Sequence, residues 1–246
     1  MHTYIMSDIH GHYTEFIKLL KMIEFSEYDH LYILGDIMDR WTENLDILEY
    51  VIAHANVHLL MGNHEDMLLN TYRNKSQLDR KYYKALWIQN GGDTTAMELD
   101  SLQNKNCEKF EKYLDYLSEL PLYKFITVNN EKYLLVHAGI YLNRDIKSQT
   151  RDDMLWIRED FLNNQNTANL DFSIIAGHTP TIYLQQCISH LDQNQKLKAF
   201  EIKIVKFDKK IEIDCGAAYG NYLGCLRLDD MQEFYQKVED NRWFIF

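Results

Sequence analysis

The first sixty residues alternate short apolar runs with amphipathic stretches. Thr3–Ser7, Leu31–Leu34 and Val57–Met61 have the length and apolar character of buried strands, while Glu15–Glu24 and Asn44–Ala55 between them carry one apolar face. The alternation predicts a β-α-β-α-β start to the chain. Each predicted strand runs into a polar tip: Ser7-Asp8-Ile9-His10-Gly11-His12, Gly35-Asp36-Ile37-Met38-Asp39-Arg40 and Gly62-Asn63-His64-Glu65. Ligands of open α/β sheets bind beyond the carboxyl ends of the strands, so the three tips should converge on one crevice.

From residue 64 to residue 120 the pattern is mostly helical, clearest over Asp79–Asn90 and Cys107–Leu120, with Gly91-Gly92 as a break. This predicts a helical insert over about residues 65–120. Beyond it the pattern turns to β. Leu122–Val128 and Lys132–Val136 flank Asn129-Asn130, whose tolerance of positive φ suits a tight hairpin. Further strands are expected at Phe172–Ala176, Ile182–Gln186, Phe200–Val205, Ile211–Ile213, Leu223–Leu228 and Phe234–Val238. The second half should therefore supply an opposing sheet. The fold class is α/β (α+β by some schemes): two mixed β-sheets in a sandwich, flanked by helices. With only Pro121 and Pro180 as prolines, and no Gly/Ser-rich run or repeat to serve as a linker, residues 1–246 read as one domain.

Charge narrows the partners. The chain has 26 Lys+Arg against 37 Asp+Glu, a formal charge of −11. That balance opposes stable binding to nucleic acid or to an anionic membrane surface. A phosphate-bearing ligand must then be drawn by local cations, and bound metal ions with one or two arginines are the natural source. No segment approaches the ~20 apolar residues that span a bilayer. The N-terminus enters a strand without the charged and apolar regions of a signal peptide. Cys107, Cys187, Cys215 and Cys225 are too sparse for a disulfide framework. These features suggest a soluble, cytoplasmic protein with reduced thiols, and they leave its oligomeric state open.

The metal-competent side chains come in chain order as Asp8, His10, Asp36, Asn63, His64, His137 and His178, each beside a glycine or a strand terminus. Taken one at a time, such residues more often cap helices and turns or sit hydrogen-bonded in polar pockets. Their accumulation at successive strand tips is what points to metal. Oxygen and imidazole donors without thiolate suit Mn²⁺, Fe²⁺ or Zn²⁺. The count is sufficient for two ions that share a carboxylate.

Asp8-Ile9-His10-Gly11, Gly35-Asp36-Ile37-Met38-Asp39-Arg40, Gly62-Asn63-His64-Glu65, His137-Ala138-Gly139 and Gly177-His178-Thr179-Pro180 resemble the five ordered signatures of calcineurin-like metallophosphoesterases. Leu155-Trp156-Ile157-Arg158-Glu159, and Ile213-Asp214-Cys215-Gly216-Ala217 followed by Tyr219-Gly220, are similar to the bacterial serine/threonine phosphoprotein phosphatases in particular. Gly177-His178-Thr179-Pro180 lacks a second histidine. It thereby resembles the protein phosphatase and diadenosine tetraphosphatase branch rather than nucleotidases and nucleases that end in Gly-His-x-His.

The resemblance implies one ion on Asp8, His10 and Asp36 and a second on Asp36, Asn63, His137 and His178, with Asp36 as the bridge. Mn²⁺ is the expected ion, with Fe²⁺ or Zn²⁺ as alternatives. It further implies His64 as general acid with Asp39 orienting its imidazole, and Arg40 and Arg158 as the grip on phosphate oxygens. The implied reaction is phosphomonoester hydrolysis by direct attack of a hydroxide shared by the two ions, without a phosphoenzyme. The expected substrate is a phosphoserine or phosphothreonine protein, or a small phosphoester. Symmetrical cleavage of diadenosine tetraphosphate, or hydrolysis of another nucleotide phosphoester, is the alternative. Where the family carries glycine after the motif arginine, this chain has Trp41. Its indole offers a stacking surface for substrate, or packs on the helix that begins near Glu43, the favoured reading.

Overall fold

The computed structural model describes residues 1–239; residues 240–246, the end of the expected domain span, lie outside the described part. In chain order the elements are β1 (Thr3–Met6), α1 (Tyr13–Met22), β2 (His30–Ile33), α2 (Asn44–Ala53), β3 (Val57–Leu59), α3 (Asn63–Arg73), α4 (Gln77–Gln89), α5 (Asp93–Lys105) and α6 (Cys107–Ser118). There follow β4 (Tyr123–Val128), β5 (Glu131–Val136), α7 (Arg151–Trp156), α8 (Glu159–Leu162), β6 (Ser173–Ala176), α9 (Leu184–Cys187), α10 (Gln193–Phe200), β7 (Val205–Phe207), β8 (Lys210–Glu212), β9 (Tyr222–Arg227) and β10 (Gln232–Lys237).

Two five-stranded mixed sheets form, ordered β10-β9-β1-β2-β3 and β4-β5-β6-β8-β7. In each, three parallel strands form the functional half: β1, β2 and β3 in one sheet, β5, β6 and β8 in the other. The side-chain period of two sorts residues between layers. Tyr4 and Met6 face the cluster under the helices, whereas Ile5 joins Leu135, Ile175, Ile213 and Leu226 between the sheets. On the other sheet Leu134, Val136, Ile174 and Ala176 turn outward, toward Phe161, Leu184 and Ile188. The layers are thus helix, sheet, sheet, helix. Among the described residues, no helix is long and apolar enough to cross a membrane.

The opposing sheet is smaller than expected. β9 and β10 return to the first sheet, with β9 antiparallel to β1, so only β4–β8 build the second. Two expected strands do not form: one is helix, and the other is the end of a helix followed by a turn. Around Ile182–Gln186 the buried positions are Thr181, Leu184 and Ile188, the three- and four-residue spacing of a helix, while Ile182 and Tyr183 are exposed. The run at Phe200 ends α10, whose Asp192 and Gln195 form a capping box, and pairing resumes only at Val205.

β8 also buries an acid. Glu212 is fully buried, and neither carboxyl oxygen has a hydrogen-bond partner. Burial pushes it up to about 8, with Lys210 opposing. A raised carboxyl pKa leaves stability intact below the unfolded value of 4.5 and erodes it as pH rises toward 8, because only the unfolded chain readily releases the proton. Glu212→Gln should therefore stabilise the metal-free protein by about 1–3 kcal/mol at pH 8, seen as a higher thermal midpoint, and leave the midpoint unchanged near pH 4. Thermal scans across that window check this. Parallel curves for parent and variant would refute the assignment.

Candidate metal centre

The polar tips meet where the carboxyl ends of the parallel strands of both sheets face one another. Asp8 follows β1, Asp36 follows β2, Asn63 and His64 open α3 after β3, His137 follows β5, and His178 follows β6. All six are buried to within a few per cent of full enclosure. Asp8, His10, Asp36, Asp39, Arg40 and His178 adopt left-handed φ between 49° and 75°. Non-glycine residues hold that region only when their surroundings over-determine it, and such strain concentrates at functional sites.

Part of that enclosure comes from Glu65. Its Oε2 accepts from the N–H groups of Asp36 (2.8 Å) and Gly62 (3.0 Å), and its Oε1 from that of Ile37 (3.0 Å). One carboxylate thereby ties the β2 tip to the start of α3. Gly62 is required here, since a Cβ would strike both Asp36 Oδ1 and Glu65 Oε2.

Asp36 Oδ2 lies 3.7 Å from His10 Nε2, 3.8 Å from His64 Nε2 and 3.5 Å from His137 Nε2. Two donor groups share this carboxylate, His10–Asp36–His64 and Asp36–His137–His178, each with its ligand atoms within 4.8 Å of one another. Asp8 Oδ1 lies 3.9 Å from His10 Nε2, while Asp8 Oδ2 accepts from the Ser7 hydroxyl and from the N–H of His178. His64 sits on the Asp8/His10 side, but its Nδ1 is committed to Asp39 Oδ2 at 2.6 Å and its Nε2 lies 3.2 Å from Arg40 Nη2.

These donors fit bound cations. His10 Nδ1 is placed against Met38 O at 2.9 Å, so its Nε2 lone pair points at the carboxylates. Burial, reinforced by Arg40, holds His10 well below its ordinary value. Burial together with His137 does the same for His178, and both imidazoles are neutral near pH 7. His137 Nδ1 faces Leu34 O at 2.7 Å, while its Nε2 lies 2.8 Å from Asn63 Oδ1. His178 Nε2 is buried without a hydrogen-bond partner.

Asp36 stays ionised: burial would raise its pKa, but His137 and His64 outweigh burial and lower it. Burial would depress His64, but Asp36 and Asp39 outweigh that and raise it.

A cleft of about 40 Å³ opens above, lined in part by Asp8, His10, Arg40, Arg158, Asp214 and Tyr219. Arg40 enters from one side. Arg158 also lines it, its Nη1 donating to His178 O (3.1 Å) and Thr179 Oγ1 (2.9 Å). Trp41 does not line this cleft: its ring stacks on buried His12, with centroids 4.8 Å apart and planes at 22°. His12 is itself buried, so the indole closes over it.

Sequence reasoning passed over Trp87, Asn90 and Thr95. Asn90 lines the cleft, and the other two hydrogen-bond Asp39. The one available signal was the Gly91-Gly92 break, which marks the turn that carries Asn90 to the site.

Comparison with known proteins agrees with this geometry. Two relatives are symmetrical bis(5'-nucleosyl)-tetraphosphatases. That of Salmonella paratyphi C is 32% identical over 151 residues, which is 60% of this chain and 46% of the relative. That of Erwinia tasmaniensis is 34% identical over 153 residues, 59% and 47%. The chain spans about half the length of these relatives. Among solved structures, a candidate diadenosine tetraphosphatase superposes with a TM-score of 0.61 at 16% identity, covering 97% of this chain and 94% of its own. A protein serine/threonine phosphatase from Saccharomyces cerevisiae does so with a TM-score of 0.55 at 16% identity, covering 98% and 80%. At such identities these two speak for the fold alone. The family model for calcineurin-like phosphoesterases matches residues 1–208, which takes in every strand tip up to His178. By that match, and by the donor groups gathered around Asp36, this chain belongs to the calcineurin-like phosphoesterase family.

Proposed function

We propose that the chain is a metal-dependent phosphoesterase acting on phosphoserine and phosphothreonine in proteins, with residues 1–246 serving as one domain and the helices of about 65–120 as its insert. The observation that carries the reading is the size and lining of the cleft. About 40 Å³ of polar space, flanked by Arg40 and Arg158, suits one phosphoryl group with the rest of its substrate outside.

Asp8, His10 and Asp36 would hold one divalent ion, and Asp36, Asn63, His137 and His178 the other, with Mn²⁺ as the expected metal. Two such ions supply positive charge for the phosphoryl oxygens and bring the deprotonation of water into the neutral range. The protein's own groups do the rest. Arg40 and Arg158 orient the phosphate by its non-bridging oxygens. As water adds to phosphorus and the ester P–O bond breaks, His64 gives its Nε2 proton to the departing alkoxide. Asp39, 2.6 Å from His64 Nδ1, fixes the ring and favours its protonated form.

A second reading is symmetrical hydrolysis of a dinucleoside tetraphosphate, favoured by the activity named for the relatives. Exposed Tyr183 and Tyr219, edge to face at 6.3 Å, would be the surfaces for a base. Metal-free protein given Mn²⁺ separates the two. Phosphate release from a phosphoserine/phosphothreonine peptide panel, with little cleavage of diadenosine tetraphosphate, supports the first. The reverse makes the chain a dinucleotide hydrolase, and no metal-dependent turnover of either refutes both.

A further inference from the structure

The Asp39 carboxylate has more partners than the histidine it orients. Oδ2 accepts from Trp87 Nε1 at 2.7 Å as well as facing His64 Nδ1 at 2.6 Å, and Oδ1 accepts from the Thr95 hydroxyl at 2.5 Å. Thr95 Oγ1 in turn accepts from the N–H of Asp39 at 3.0 Å, so one hydroxyl bridges both ends of the residue. Trp87, Thr95 and Asp39 are completely buried, and His64 nearly so. In such surroundings a carboxylate with fixed donors has one available orientation, and each bond is stronger than it would be in water.

Neither donor belongs to the strand tips. Trp87 lies on α4 and Thr95 on α5, the two helices joined by Asn90-Gly91-Gly92. Three observations show that this turn is shaped to the site. Gly91 O accepts from the N–H of Arg40 at 2.8 Å, and Asn90 O from Arg40 Nε at 3.3 Å. A Cβ on Gly92 would collide with the Trp87 indole, so glycine is what lets the ring reach Asp39. Asp39 and Arg40 are consecutive residues with φ of 75° and 70°, a pair that needs outside support.

We infer that Trp87 and Thr95 are positioning residues, through which the helical insert fixes Asp39 and thereby aims the His64 proton at the leaving group. The inference rests on the phosphoesterase reading and adds to it that the insert is part of the acid machinery. Loss of either donor lets the Asp39 carboxylate rotate and the imidazole with it. The damage falls on substrates whose leaving group needs a proton.

The test pairs a binding-free readout with a chemical one. In metal-free protein, the indole ¹H–¹⁵N resonance that disappears in Trp87→Phe is assigned to Trp87, and Asp39→Asn should shift it. An unmoved resonance would overturn the hydrogen bond. With Mn²⁺ restored, Trp87→Phe and Thr95→Val should each lower kcat on an alkyl phosphopeptide by on the order of tenfold, a fraction of the ~10²–10⁴ a general acid supplies. Turnover of p-nitrophenyl phosphate, whose leaving group departs unaided, should fall far less. Thr95→Ser, which keeps the hydroxyl, should restore the parent ratio of the two substrates.

Equal losses on both substrates, or no rescue by serine, would make these residues structural only and overturn the proposal. Because Thr95→Val is nearly isosteric, it decides the matter even if the indole variant fails to fold. Inactivity of the parent protein with Mn²⁺ would instead refute the phosphoesterase reading, with the resonance still deciding whether the insert holds Asp39.

Discussion

Asp36→Asn should lower metal-dependent phosphate release by at least about 10³-fold, the largest single effect in the molecule. Three imidazole nitrogens approach one oxygen of this carboxylate within 3.8 Å, and both donor groups include it. A carboxamide keeps the shape but removes the negative charge that both ions would share. Charge stabilisation by such ions is worth several kcal/mol in the transition state, and each 1.36 kcal/mol is a factor of ten in rate. Asparagine can still accept from the N–H of His64, which approaches Asp36 Oδ1 at 3.1 Å, so the fold should persist. Initial rates at saturating Mn²⁺, with thermal unfolding as the control for folding, check the prediction. A loss below tenfold would contradict a shared ligand at this position.

The second large effect concerns His64→Asn. If His64 is the proton donor, it should account for about 10²–10⁴ of the rate on a phosphoserine peptide. The loss on p-nitrophenyl phosphate should be smaller by an order of magnitude or more, because that leaving group requires little protonation. The geometry sets this expectation: Nδ1 is held by Asp39 while Nε2 remains at the edge of the space between Asp36 and Arg40. Equal losses on the two substrates would assign His64 to binding or to metal retention. Its membership of the His10–Asp36–His64 group makes that a genuine alternative outcome.

How much of this was legible in the sequence follows from how local the signals are. The strand tips are local: a short apolar run, then Asp, His or Asn beside glycine, placed every member of the expected donor set at one end of two sheets. Asn129-Asn130 likewise gave the β4–β5 hairpin, with both residues at positive φ. The sheet assignment of β9 and β10 was not legible, because their apolar runs would fit either sheet and only pairing with β1 decides.

Ile182–Gln186 misled for a related reason. Five residues cannot separate period two from period 3.6 until the buried Leu184 and Ile188 are seen together. Trp87 and Thr95 carry no motif of their own. Each lies about fifty residues from Asp39, and an indole or a hydroxyl on a helix face is ordinarily a packing group. Glu65 was legible only as part of the Gly62-Asn63-His64-Glu65 tip, and its three backbone partners came from folding the β2 tip against it.

The side chains around Asp36 would hold two divalent ions. Calorimetric titration of metal-free protein with Mn²⁺ tests it most directly, with Asp36→Asn titrated alongside. Two ions should bind per chain of the parent, and at least one of them should be lost in the variant. No binding, or a stoichiometry and affinity untouched by Asp36→Asn, would contradict it.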